Sequence, residues 1–140
     1  MTGLTGLVVC LAVLAATSVF GGLHRRRSGR VRVRGRDEGK RLGAAELGAE
    51  LGERATLVQF SSAFCAPCRA TRRVLGEVAG VVPGVTHIEI DAEAHLDLVR
   101  ALDILKTPTV LVLDADGRVV RRAAGLPRKA DVIAALGEAV

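Results

Sequence analysis

The chain has 140 residues, 49% of them hydrophobic but only 2% aromatic, which is room for one domain with a core of Val, Leu, Ile and Ala and a modest extension. Its net charge of +5 is local: nine Arg and Lys between His24 and Arg41 face only Asp37 and Glu38, whereas residues 42–140 carry eleven basic and thirteen acidic side chains. A domain with no basic face of its own, in a chain without Trp or Tyr, argues against nucleic acid as a partner.

From Leu4 to Leu23 the sequence is uncharged for twenty residues. As a helix this run would be about 30 Å long, the thickness of a bilayer's hydrocarbon core. No basic residue precedes it, and basic residues stand where a small-residue cleavage site would follow. Residues 1–23 are therefore expected to be a retained transmembrane anchor in preference to a cleaved signal. Cys10, preceded by Val8 and Val9, reads as an apolar member of the span and not as a lipid attachment site. Residues 24–41 form a basic juxtamembrane linker suited to anionic lipid. The positive-inside bias then puts the domain on the cytoplasmic side, in a reducing pool; an extracytoplasmic domain serving secreted proteins is the alternative. Val31 and Val33, alternating with Arg, make either a short edge strand or an extended tether.

Residues 42–140 are expected to fold as the domain. Leu42 to Gly52 has Leu42, Leu47 and Leu51 at helical spacing. Thr56 to Phe60 is a short β-rich apolar run suited to a buried strand, and 66–79 reads as a helix with Pro67 in its tolerant first turn. Val85 to Asp91 alternates like a strand, with Val85, His87, Glu89 and Asp91 on one side. Glu93 to Leu102 is a predicted helix. Thr109 to Leu113 is a second buried strand, and the turn Asp114-Ala115-Asp116-Gly117 leads into a hairpin partner over Arg118 to Arg122. A last helix opens at Leu126 or Pro127. Strands separated by helices imply parallel crossovers, to which the hairpin adds an antiparallel strand. The class is α/β: a mixed sheet flanked by helices, preceded by one N-terminal transmembrane helix.

The chemistry concentrates at Cys65-Ala66-Pro67-Cys68, between a buried strand and a helix. A cysteine at a helix N-terminus faces unpaired amides and the positive end of the dipole, which favour thiolate. In such sites the thiol pKa falls from about 8.5 into the range of roughly 3.5–7.5. Cys65 is thereby the expected nucleophile on a substrate disulfide, with Cys68, one turn on, resolving the mixed disulfide. The rival use of the pair is half of a zinc site. His24, His87, His95 and Cys10 include no second close pair, so no metal is expected. Lys106-Thr107-Pro108-Thr109 adds a proline directly before a buried strand, where it removes no ladder bond.

Taken in order, TLVQFSSAFCAPCR, VTHIEID, LDILKTPTVLVLDADGRVVRRAAG and the final helix resemble the thioredoxin family over residues 42–140. The resemblance implies a thioredoxin-like fold, a redox-active Cys65–Cys68 disulfide and no further cofactor. It implies Pro108 as a cis-proline beside the disulfide, Thr107 offering its backbone to substrate, and Gly125 as the small residue of the groove, with Phe64, Ala66 and Pro67 completing it. Disulfide-containing proteins are the implied substrates, and a thioredoxin-reductase-like or other thiol compound the electron donor. Phe64 stands where the family usually has Trp and Ala66 where it has Gly. Gln59 replaces a buried aspartate and His87 its paired lysine. Since glutamine takes up no proton, the Cys68 step is expected to be slower or to use water; Glu89 and His87 are candidate substitutes, but an ordinary surface or strand role is the favoured reading of each. A thioredoxin-like binding module whose cysteines cycle poorly is the non-enzymatic alternative.

Overall fold

The computed structural model describes residues 2–27, 37 and 39–140. Helix α1 (Thr2–Arg27) is exposed along its described side chains and is long and apolar enough to cross a membrane over Gly3–Arg27. A signal sequence near an N-terminus meets the same criterion. Val31 and Val33 lie outside the described residues.

The domain is a four-stranded mixed sheet of order β2-β1-β3-β4, from β1 (Ala55–Ser61), β2 (Val85–Asp91), β3 (Thr109–Asp114) and β4 (Val119–Ala124). Helix α3 (Ala66–Val81) connects β1 to a parallel β2, with Ala55 opposite Val85 and Ser61 opposite Asp91. The second expected parallel crossover does not form, because β3 runs antiparallel to β1 with Thr109 opposite Phe60. The reason lies in helix α4 (Leu96–Ala101), which has six residues and no buried one. At about 1.5 Å per residue it cannot carry the chain back along a seven-residue strand. The link therefore returns at the end of the sheet where β2 finished, which reverses the next strand.

Two other elements are shorter than their sequence patterns. The Leu42–Gly52 helix contracts to α2 (Ala44–Leu47), closed by Gly48 at φ +69°. Helix α4 starts after Glu93 because Asp91 claims that stretch for a turn, its Oδ1 accepting from Glu93 N at 2.9 Å and its carbonyl from Ala94 N at 3.2 Å. The last helix, α5 (Lys129–Ala139), begins two residues beyond Pro127.

Every residue of β1 is buried, as expected of a central strand covered on both faces. Leu57 packs with Leu75 and Val78 of α3 and Val132 and Leu136 of α5; Val58 and Phe60 pack with Leu102, Ile104, Leu111 and Leu113 on the opposite face. Among the described residues Phe60 is the one fully buried aromatic, while Phe64 is fully exposed. Residues ahead of α2 pair with the turn that leads into β4: Lys40 O accepts from Val119 N at 3.1 Å, Arg41 bridges Arg118, and Leu42 N donates to Gly117 O at 2.9 Å. Strand β2 forms the other edge, and its outer side has no partner strand among the described residues.

Candidate redox site

Strand β1 ends at Ser61 and delivers Ser62 to Phe64 to the rim, after which Cys65 caps α3 in an extended conformation. The Cys68 amide donates to Cys65 Sγ at 3.2 Å, and Pro67 occupies the first turn. Cys65 and Cys68 are joined as a disulfide, with Cα atoms 5.2 Å apart. Cys65 is half-buried and Cys68 is 1% exposed. One sulfur is therefore accessible while the other lies beneath it, next to the helix amides.

The other sequence-predicted positions converge from separate elements. Phe64, Ala66 and Pro67 are exposed around the disulfide. A groove of about 430 Å³ beside it is lined by Ser62 to Ala66, Cys68, Arg69 and Arg72. Thr107–Pro108 is a cis peptide bond, as the resemblance implied. Gly125 donates its N–H to Pro108 O at 2.7 Å from a φ of +96°, a conformation open to glycine without a Cβ penalty. Ser62 Oγ meets Thr107 Oγ1 at 3.0 Å, tying the cysteine loop to the proline loop. Ser62 was not singled out from sequence; its place inside the SSAFCAPC run was its only signal.

Beneath Cys68 lies an amide and no carboxylate. Gln59, fully buried, donates from Nε2 to Cys68 O at 2.8 Å and to Ser61 Oγ at 2.9 Å. Because a carbonyl only accepts, the amide NH2 must face Cys68. That turns Oε1 toward His87 Nε2, 3.0 Å away, and fixes the imidazole proton on Nε2. Burial holds the His87 imidazole below its usual pKa; Glu89 opposes this and Arg72 adds to it. The Arg72 guanidinium, bonded to Glu89 through Nε and Nη2, keeps that carboxyl below the usual range against the effect of its burial, with Ser61 contributing a further hydrogen bond. The two candidate substitutes for the missing carboxylate are thus engaged, His87 by Gln59 and Glu89 by Arg72 and Ser61. Among the described residues no three His, Cys, Asp or Glu side chains gather as a metal-ligand set.

A half-buried cysteine capping a helix and disulfide-bonded to a buried partner is the arrangement of a dithiol that exchanges disulfides. A family model described as thioredoxin matches residues 44–138. Thioredoxin of Mycolicibacterium smegmatis is 32% identical over 87 residues, covering 60% of this chain and 77% of that one. Thioredoxin of Chlamydia muridarum is 32% identical over 77 residues, covering 55% and 74%. Among solved structures, a single-residue mutant of thioredoxin from Halobacterium salinarum superposes with a TM-score of 0.57 over 62% of this chain and 75% of its own, at 21% identity, which bears on the fold. The chain belongs to the thioredoxin family. Its activity is thiol–disulfide exchange, and the cysteine pair is the redox group.

Proposed function

We propose that the chain is a membrane-tethered reductant of protein disulfides, in which Cys65 is the nucleophile and Cys68 the resolving thiol. The observation that carries the assignment is the asymmetry of the pair: Cys65 caps α3 with its sulfur on the Cys68 amide, and Cys68 is buried. In the reduced protein the Cys65 thiolate attacks one sulfur of a substrate disulfide, forms a mixed disulfide and expels the other substrate sulfur as thiolate. Cys68, after losing its proton to solvent, attacks Cys65 Sγ, closes the internal disulfide and releases the second substrate thiolate. Both leaving thiolates take up protons, and two electrons pass to the substrate. A thiol donor, of the thioredoxin-reductase type or another, then restores the dithiol. Phe64, Ala66, Pro67, Thr107, Pro108 and Gly125 form the surface on which a disulfide-bearing segment rests. The Ser62–Thr107 hydrogen bond between the cysteine and proline loops, and the Gly125 N–H on Pro108 O, support that reading.

The tether is α1, with the basic residues after it against anionic lipid. The excess of Arg on that flank supports a cytoplasmic domain.

Reduction of insulin by the wild-type chain should disappear in Cys65→Ser, whereas Cys68→Ser should accumulate a mixed disulfide visible on non-reducing gels. Wild-type turnover in Cys65→Ser would overturn the assignment. For the side of the membrane, an impermeant maleimide applied to intact cells carrying a Cys10→Ser background should leave Cys65 unlabelled until the membrane is opened. Strong labelling before that would place the domain outside.

A further inference from the structure

Arg122, on β4, is 6% exposed and makes four hydrogen bonds through its guanidinium. Two form a bidentate pair with Asp37, Nε to Oδ2 and Nη2 to Oδ1, each 2.8 Å. The other two reach backbone carbonyls at the end of α4, Nη2 to Leu102 O at 2.6 Å and Nη1 to Asp103 O at 3.3 Å. Lys40 Nζ donates to the preceding carbonyl, Ala101 O, at 3.2 Å, and lies 3.8 Å from Asp37 Oδ1. Three consecutive carbonyls that a helix end leaves without intrahelical partners are thus taken up by two cations. One belongs to the segment joining α1 to the domain, and the other is held in place by an aspartate of that segment.

These carbonyls are the root of the loop that runs from Leu102 to Pro108. Its far end is fastened by Ser62 Oγ to Thr107 Oγ1 and by Gly125 N to Pro108 O. Strand β4 and the glycine that follows it accordingly hold both ends, the root through Arg122 and the tip through Gly125. Asp103, at the root, has φ +51°, a conformation that costs a non-glycine residue. Such a backbone persists where surrounding contacts impose it, and the two Arg122 bonds are among them. A bidentate guanidinium–carboxylate pair is geometrically specific. Removing one partner of a buried pair leaves the other charge uncompensated, whereas replacing both with apolar groups avoids that penalty.

We propose that Asp37 and Arg122 are positioning residues for substrate binding: by holding Arg122, Asp37 fixes the root of the 102–108 loop and sets Thr107 and Pro108 against the disulfide. This rests on the reading above that Thr107 and Pro108 receive the substrate. The joining segment is on this view part of the frame of the substrate surface.

The full-length chain in detergent micelles, with dithiothreitol as electron source and insulin as substrate, provides the test. Asp37→Ala and the double variant Asp37→Leu/Arg122→Met should each raise KM for insulin about tenfold, the scale of one or two lost charge-assisted hydrogen bonds, with the change in KM and not in kcat. Alkylation of reduced Cys65 by iodoacetamide should keep its wild-type rate, since the cap on α3 is untouched. The double variant, free of an uncompensated buried charge, should melt above Asp37→Ala though below wild type, since the carbonyls of Leu102 and Asp103 lose their guanidinium donor; it carries the test should Asp37→Ala fail to fold. A wild-type KM in the double variant, or a KM that follows melting temperature across the series, would reduce the cluster to a structural role and overturn the proposal. Failure of the wild-type chain to reduce insulin would sink the underlying reading and the proposal with it. Altered alkylation of Cys65 would refute the claim that the effect travels through the loop.

Discussion

His87 takes its proton less readily than a free histidine because it is half-buried, and Arg72 adds to this while Glu89 opposes it. An unfolded chain binds that proton near pH ~6.5, and the folded one only at lower pH. Stability from this group is therefore complete above the unfolded value and lost as pH falls from there through the folded one. Melting temperature should drop between about pH 7.5 and about pH 5.5, and the drop should shrink in His87→Asn; an unchanged slope would assign it to other groups. Gln59→Leu should be costlier, since it takes the acceptor from the buried side of His87 Nε2 and removes the amide bonds to Cys68 O and Ser61 Oγ. Each buried group left unpaired costs about 1–3 kcal/mol, which a urea titration would resolve. At this scale the sequence displayed the reactive pair and the proline because each sits in a compact local motif. It displayed Gln59 only as a departure from a family pattern. Two of the three Gln59 partners are 9 and 28 residues away along the chain, and Arg122 reaches Asp37 across 85. Such pairings carry no periodicity, so only the fold reveals them.

Among the elements, β1 bears the structural load. It contacts both layers of helices, and Phe60 is buried completely on one face. Phe60→Ala should cost about 3–5 kcal/mol, whereas Phe64→Ala, fully exposed beside the disulfide, should leave the denaturation midpoint nearly unchanged. The β3–β4 hairpin depends on Gly117, at φ +79°, where an added Cβ would lie 2.3 Å from Leu42 O. Gly117→Val meets that clash and the unfavourable φ together, and should lower stability by more than the ~1 kcal/mol of an ordinary glycine substitution. The strands were legible because their apolar runs are short and bounded by turn residues, and 85–91 is found at its predicted limits. The helices α2 and α4 were overdrawn. Spacing of leucines says which face is apolar, but not that Gly48 and Asp91 divert the backbone first. The reversal of β3 was hidden for a related reason: strand direction depends on how far the connection travels, and its composition records no distance.

At the scale of the whole molecule the chain divides into a largely apolar helix and a redox domain, and the basic excess spans the last turn of that helix and the stretch after it. The two edges of the sheet are treated differently. The start of β4, at Val119 and the two residues before it, is met by residues 40–42, while the far side of β2 carries no strand among the described residues. An open strand is a template on which a second copy can polymerise, and charged side chains along it are a common safeguard. Here Asp91 and the Arg72-paired Glu89 are exposed on that border, so a second strand docking there would have to cover charged side chains. Replacing both by valine would give Val-Thr-His-Ile-Val-Ile-Val, an uncharged β-prone run of the kind that seeds fibrils.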